Sequence, residues 1–322
     1  MSLRDPLEVL GYRLASALCA KAPLAALQAA ASAGAKRLFD RGGRRATWAL
    51  ANLRIAFPDW SEERCIETAR QSYVHFAWNV IDALRAERWS PAELRAHVSV
   101  RSVEHGRRAL EGGRGAIALT LHMGCFELAA TAVPVVGLPS ATVARTLRNR
   151  LLYRRIKSSR ERLGTLVIDR RGAARGILRA LAGGRIVAIL NDQYSSRSRG
   201  VFVPFFGVRC STSAGIATLA LRKDAPVIPY SIHRDAPDHH TLAFEPPLEL
   251  PREGSRSERI EAATALFNRK LEQIIRRHPE QWMWGHRRFR HSPDLEGDLY
   301  ADAGAARPPG GGRSPVAGRP AT

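Results

Sequence analysis

The chain beyond residue 115 is constrained most strongly by an alternation between two hydrophobic periods. Short apolar runs typical of buried strands alternate with longer stretches whose apolar residues recur at helical spacing. The strand candidates are residues 116–121, 141–144, 165–168, 186–190 and 226–230. The helical patterns lie near residues 126–136, 149–163, 172–182, 213–222 and 257–278. This alternation predicts an α/β fold with a mostly parallel central sheet flanked by helices.

The first 40 residues predict helices of a different kind. Four leucines recur at helical spacing, Pro23 closes that segment, and an alanine-rich apolar stretch follows. The leucines are Leu7, Leu10, Leu14 and Leu18. Two interpretations stay open: a pair of amphipathic helices lying on a membrane, or ordinary helices packed on the core.

A further helix is predicted to start at Ser61, which can cap it. Its apolar stripe consists of Ile66, Ala69, Tyr73, Phe76 and Val80. Such a stripe indicates either core packing or the wall of a lipid pocket.

Composition divides the chain into three parts. We predict an N-terminal amphipathic segment over residues 1–40, one globular domain over 41–302, and a disordered tail over 303–322 that is rich in Gly, Pro, Ala and Arg. Charged residues interrupt the start, so it does not resemble a signal peptide, and no window of about 18 apolar residues predicts a transmembrane helix. Four scattered cysteines indicate neither a disulfide framework nor a zinc knuckle.

The chain is strongly basic, with a formal net charge of +20. Such a charge could attract three kinds of partner: nucleic acid, an anionic membrane surface or an acidic protein. The remaining explanation is an arginine-rich composition with a solvated surface. A nucleic-acid-binding protein would carry aromatic residues within a dense basic stripe. The arginines are instead spread along the chain, so we expect no nucleic acid.

A candidate acid–base pair lies where the first predicted strand meets the following helix. His122 and Glu127 are five residues apart, so on a continuous helix they would point about 140° away from each other. With His122 at the strand end, Gly124 in the turn and Glu127 in the first helical turn, the two side chains can converge. A base oriented by a carboxylate is what deprotonation of a hydroxyl requires.

Other noteworthy segments follow the predicted strands or close the ordered part. They are Arg145 with Asn149, Arg160 with Arg162, Asn191-Asp192-Gln193, the segment Val203-Pro204-Phe205-Phe206-Gly207, and the segment from Pro279 to Phe289, which reads PEQWMWGHRRF. His122 and Asp192 both fall at carboxyl ends of predicted parallel strands, where active sites of α/β proteins commonly lie.

In this order, the segments resemble the lipid A biosynthesis acyltransferases, a lauroyl and myristoyl transferase family within the lysophospholipid/glycerolipid acyltransferase superfamily. The resemblance covers roughly residues 40–292. It implies transfer of a fatty acyl chain from an acyl thioester, on acyl carrier protein or coenzyme A, to a hydroxyl of a lipid A precursor or related glycolipid. No cofactor is implied beyond that co-substrate.

The resemblance also implies roles for individual residues. His122 would take the hydroxyl proton while Glu127 holds the imidazole and stabilises its charged form. Arg160, with Arg162 as the alternative, and Asp192 match further residues that the family needs. We extend substrate binding to the neighbours Arg145, Asn149, Gln193 and Arg287. An arginine fork suits an acceptor phosphate or the phosphopantetheine arm of the donor.

Members of the family often begin with a membrane-spanning segment, and this chain shows none. The resemblance then implies peripheral or monotopic attachment to the anionic cytoplasmic face of the inner membrane. Two locations are open for Trp282 and Trp284: the lipid interface, where indole rings are favoured, or a core strand.

Alternatives within and outside this class stay open. The acceptor could instead be a phosphatidylinositol mannoside or a lysophospholipid. A zinc hydrolase using His122 and Glu127 would need a third ligand, and the pair His239-His240 is predicted to lie in a polar turn before a strand.

Overall fold

The computed structural model describes residues 4–196, 200–297 and 299–300. The predicted tail over residues 303–322 lies outside this range. The helices are α1 (Arg4–Lys21), α2 (Leu24–Asp40), α3 (Arg44–Ala56), α4 (Glu62–Ala86), α5 (Pro91–His97), α6 (Val103–Leu110), α7 (Phe126–Val135), α8 (Arg150–Arg162), α9 (Ala173–Ala182), α10 (Gly215–Lys223) and α11 (Arg256–Arg277), followed by a short 3₁₀ turn (Pro279–Gln281). The strands are β1 (Val98–Arg101), β2 (Ala116–Thr120), β3 (Ser140–Ala144), β4 (Leu166–Asp169), β5 (Ile186–Leu190), β6 (Gly200–Phe205), β7 (Val208–Ser213), β8 (Val227–Ala236) and β9 (His239–Phe244).

Within the described ranges, the central sheet has the strand order β1-β9-β8-β2-β5-β3-β4. All neighbouring strands pair in parallel except β8 and β9, which are antiparallel. The strands β6 and β7 form a separate antiparallel hairpin. The predicted α/β fold with a mostly parallel sheet flanked by helices is confirmed, and all five predicted strands are present.

Residues of β2 show how the sheet organises two cores. Strand side chains alternate between faces. Ile117 and Leu119 pack into a core shared with α3 and α11, whereas Ala116 and Ala118 face a second core that contains α7. Because β2 is buried on both faces, its sequence is one apolar run, as expected for a central parallel strand.

Helix α4 begins where the sequence predicted. The Ser61 side chain accepts a hydrogen bond from the backbone N–H of Arg64, which caps the first turn. The predicted apolar stripe is buried at Ala69 but reaches solvent at Phe76 and Val80, which are 48% and 47% exposed. The core interpretation therefore holds only for the first part of the stripe.

Helix α1 turns its apolar side outward. Its four exposed leucines, called the leucine row below, are Leu7, Leu10, Leu14 and Leu18, with exposed fractions of 52–66%. The opposite side of α1 carries the buried Ser16, whose hydroxyl donates to the carbonyl of Leu84 in α4. The leucines themselves are not packed on the core. Among the described helices, none is long and apolar enough to cross a membrane.

Candidate active site

The site lies at the carboxyl ends of β2 and β5, which are adjacent and parallel. Thr120 pairs with Leu190 at the end of both strands. The backbone N–H of Asn191 then continues the ladder to the carbonyl of Thr120 at 3.1 Å. Two residues beyond each strand end stand His122 and Asp192, so the parallel register itself brings them together.

His122 and Asp192 are joined by two hydrogen bonds. The imidazole Nδ1 donates to Asp192 Oδ1 at 2.8 Å, and the backbone N–H of His122 donates to Oδ2 at 2.9 Å. The indole Nε1 of Trp282 donates to Oδ2 at 2.7 Å. With Nδ1 carrying a proton for Asp192, Nε2 is the nitrogen that can accept a proton from a substrate.

The electrostatics of this pair suit a general base. Burial raises the pKa of Asp192, but the charge of His122 and hydrogen bonds from His122 and Trp282 outweigh it and lower this pKa to about 2. Burial lowers the pKa of His122, yet the charge and hydrogen bond of Asp192, followed by the charge of Glu127, leave it raised above its ordinary value. Asp192 thus stays ionised and can stabilise an imidazolium at His122, which a general base needs.

The turn after His122 depends on Gly124. Its φ is +53°, and a Cβ at this position would lie 2.2 Å from the carbonyl oxygen of Ile232 in β8. Its N–H donates to the carbonyl of Gln281, and its own carbonyl accepts from the Asn79 side chain at 2.9 Å. These contacts set the chain direction between the strand and α7, as the sequence predicted.

Glu127 lies in the first turn of α7, but its hydrogen bonds go to Arg160 of α8. The guanidinium Nε and one terminal nitrogen contact both carboxylate oxygens at 2.6–3.0 Å. The hydrogen bond that we expected the imidazole to donate to Glu127 goes to Asp192 instead. The reason is topological, because β5 is the neighbour of β2, and sequence alone does not reveal that adjacency.

A cavity of roughly 450 Å³ adjoins this site. The polar lining residues near the site are Thr120, Glu127 and Arg160. Phe126 also lines the cavity, and its ring lies edge-on to the His122 ring with 5.3 Å between the ring centres. The rest of the lining is mostly apolar and comes from α1, α4, α7, α8, the strands β3, β5 and β8, and the loop after β3. A cavity of this kind can hold an aliphatic chain with one end near the imidazole.

The other predicted site residues fall into different surroundings. Arg145 lines the cavity and is exposed. Asn149 is buried, caps α8, and donates to the carbonyl of Asp5 and the carboxylate of Glu8. Its observed contacts tie α1 to α8.

Three more predicted residues lie away from the cavity lining. Arg162 donates to the backbone carbonyls of Glu87 and Trp89. Arg287 stacks over the ring of Trp48 at 5.0 Å. Gln193 is partly buried beside Asp192.

Sequence reasoning did not connect Trp282 to Asp192, and it left both a lipid interface and the core open for Trp282 and Trp284. Trp282 and Trp284 are 2% and 0% exposed, so they belong to the core rather than to a lipid interface. The segment from Pro279 to Phe289 marked Trp282 as a residue of interest. Its hydrogen-bond partner Asp192 is 90 residues away in sequence, so the sequence alone did not show this contact. His239 and His240 begin β9, and His240 is bonded to the buried Asp82. In the described ranges, no group of three or more His, Cys, Asp or Glu side chains could hold a metal ion.

Comparison with known proteins assigns the family. Residues 8–291 match the family model described as bacterial lipid A biosynthesis acyltransferase. The chain belongs to this family. Its relatives are named as acyltransferases, and the protein is accordingly an O-acyltransferase.

Three relatives illustrate the range of this family. The chain is 29% identical to the lipid A biosynthesis palmitoleoyltransferase of Escherichia coli (strain K12) over 80% of its own length and 82% of the relative. It is 28% identical to the lauroyltransferase of the same organism, covering 78% and 81%. It is 30% identical to the phosphatidylinositol mannoside acyltransferase of Mycolicibacterium smegmatis (strain ATCC 700084 / mc(2)155), covering 68% and 73%.

Proposed function

We propose that this acyltransferase moves a fatty acyl chain from an acyl thioester to a hydroxyl of a lipid A precursor or a closely related glycolipid. The observation that carries the proposal is the His122–Asp192 pair beside a largely apolar cavity. The pair supplies a general base, and the cavity supplies a place for the chain. Family membership supports the acyl chemistry.

The proposed reaction starts with the acceptor hydroxyl at Nε2 of His122. As the hydroxyl oxygen attacks the thioester carbonyl carbon, its proton passes to Nε2, and Asp192 stabilises the imidazolium. Collapse of the tetrahedral intermediate breaks the carbon–sulfur bond. The leaving thiolate then takes the proton from His122, which yields an ester and a free thiol.

Glu127 and Arg160 act as a second charged pair next to the base. Burial and Asp192 have the largest effects on the pKa of His122. The charge of Glu127 has a smaller effect and raises this pKa further. Arg160 holds Glu127 in place through a bidentate contact, and its remaining N–H groups can bind an anionic oxygen of a substrate. In this proposal, Glu127 assists His122 through its charge while Asp192 orients the ring.

The acceptor is proposed from the relatives. Two of those named above act in lipid A biosynthesis and one on a phosphatidylinositol mannoside. We favour a lipid A precursor, with the mannoside class as the second candidate. Both acyl carrier protein and coenzyme A carry negative charge and suit the net charge of +20.

We also place the protein on the cytoplasmic face of the inner membrane, attached through α1. The leucine row is exposed, and the exposed cations Arg13 and Lys21 lie on the same helix. A helix with an apolar face and flanking cations is typical of interfacial attachment to anionic lipid.

Two experiments test the proposed function. Purified His122→Ala protein is expected to lose at least about a hundredfold in acyl transfer, because the general base is gone, while its thermal unfolding stays close to that of the parent. Full transfer by this variant contradicts the mechanism.

Mass spectrometry of lipids from cells with and without the gene is expected to show loss of one acyl chain from lipid A, and an unchanged lipid A contradicts the acceptor.

A further inference from the structure

Glu87 occupies an unfavourable position that neither the fold nor the proposed mechanism explains. It is the C-cap residue of α4, where the partial negative charge of the helix dipole disfavours a carboxylate. Its side chain is only 7% exposed. It also belongs to the lining of the cavity beside His122. A buried acid at the wrong end of a long helix needs compensation from its surroundings.

Arg155 of α8 supplies only part of that compensation. Its Nε lies 2.6 Å from Glu87 Oε1 as an ion pair, and this Nε has no hydrogen-bond partner of its own among the described residues. The second oxygen, Oε2, is buried and has no hydrogen-bond partner in the described part of the chain. An ionised carboxylate can accept about four hydrogen bonds, so an entire oxygen without a partner is unusual for a buried group.

The surroundings of Glu87 form a polar spot in an otherwise apolar wall. Tyr12 of α1 lines the same cavity, and the Arg155 guanidinium lies 5.8 Å from the centre of its ring. Burial, followed by the charge of Glu87, raises the pKa of Tyr12 to about 12, so its phenol stays neutral. Val80 and Leu84 are among the apolar neighbours in the lining. Three helices thus converge on one place along the cavity.

We propose that Glu87 binds a hydrogen-bond donor, a hydroxyl or an amide N–H, carried by the lipid or thioester substrate within this cavity. The proposal rests on the proposed function, which puts a substrate chain there. The terminal torsion of a glutamate side chain is broad, so a modest rotation presents Oε2 to the cavity. A substrate with a plain methylene group beside Glu87 would leave Oε2 unpaired. The cavity would therefore bind that substrate less tightly than one that carries a donor there.

Two parts of a substrate could carry this donor. One is a hydroxyl on the fatty chain itself, and the other is an amide N–H of the pantetheine arm of the acyl donor. Both donate to a carboxylate in the same way. Ligands of equal chain length distinguish them: tetradecanoic acid, β-hydroxytetradecanoic acid, and S-tetradecyl pantetheine, a thioether that cannot transfer its chain.

The experiment measures the dissociation constants of these three ligands for the parent protein and its variants. The key variant is Glu87→Leu with Arg155→Met, which removes both charges together and leaves no unpaired buried charge. The matched control is Lys157→Met with Glu161→Leu, which removes a partly exposed ion pair from the same helix α8. Glu87→Gln provides a second variant that keeps the shape of the side chain.

In the parent and the control, one donor-bearing ligand is expected to bind roughly tenfold more tightly than tetradecanoic acid. The ligand that loses this advantage in the key variant identifies the source of the donor. Glu87→Gln is expected to lose part of the same advantage. An unchanged preference in either folded Glu87 variant overturns the proposal.

The proposed function fails separately. A parent protein that shows the ligand preference but transfers no acyl chain from any thioester contradicts the function and not the role of Glu87. A parent that transfers acyl chains but binds all three ligands equally contradicts the role of Glu87 alone.

Discussion

Asp192 is enclosed by protein and stays ionised because three donors point at its two oxygens. Two come from His122 and one from Trp282. This arrangement lets one carboxylate fix both the ring orientation and the backbone position of the base. The proposed base therefore depends on one buried carboxylate for both its position and its charge.

Asp192→Asn is expected to reduce kcat by roughly 100- to 10,000-fold, because an amide can donate to Nδ1 and hold the wrong tautomer. The base must be neutral to act, and Asp192 raises the pKa of His122. Activity of the parent should therefore fall as the pH drops through a value above 6.5, and the variant's residual activity should persist to lower pH. A pH profile of kcat/KM measures both.

The control for this variant is Asp224→Asn, since Asp224 forms an exposed ion pair with Arg114. It should leave the profile unchanged. Wild-type kcat in Asp192→Asn would refute the role of the carboxylate.

At the scale of elements, the strand–turn–helix junction depends on one close approach. Gly124→Ala is expected to lower the free energy of unfolding by about 2–4 kcal/mol, because the new methyl group meets the Ile232 carbonyl at a strained φ. The control is Gly137→Ala, whose φ is +82° but whose Cβ would meet nothing within 4 Å. Urea unfolding of both variants separates collision from backbone strain, and equal losses would exclude the collision.

Helix α1 carries the second element-scale prediction. Changing the leucine row to glutamine is expected to reduce binding to phosphatidylethanolamine/phosphatidylglycerol vesicles at least about tenfold, because the apolar face is lost. Vesicle sedimentation measures the bound fraction. The control is Leu166→Gln with Leu299→Gln, two leucines that are 39% and 36% exposed outside α1. Equal binding by all three proteins would remove α1 as the attachment site.

The sequence predicted the central elements well because buried parallel strands form continuous apolar runs. A strand was expected after His239 and His240, but its start was misplaced, since β9 begins with these two residues and their polar character resembled a turn. The hairpin of β6 and β7 was missed because Pro204 interrupts its first strand. For the site, His122 was found from local spacing. Asp192 was also identified as a site residue, but its hydrogen bond with His122 could not be predicted. That contact depends on β2 and β5 being neighbours in the sheet.

At the scale of the whole molecule, the charge of +20 should act on encounter with the acyl donor. With an acyl chain on acidic acyl carrier protein, kcat/KM is expected to fall roughly tenfold between about 50 and about 500 mM salt, because screening weakens long-range attraction. The control substrate is an uncharged N-acetylcysteamine thioester, for which salt should change little. Identical salt profiles for both donors would exclude electrostatic steering.

The parallel register of β2 and β5 has a consequence for synthesis of the chain. The base, its carboxylate and the indole that completes the carboxylate's hydrogen bonds stand at positions 122, 192 and 282. A nascent chain released from the ribosome before Trp282 carries an imidazole and an acid but not the finished site. In the proposed mechanism, catalytic competence thus arrives late in translation, after every strand of the central sheet and the segment that carries Trp282 have been made.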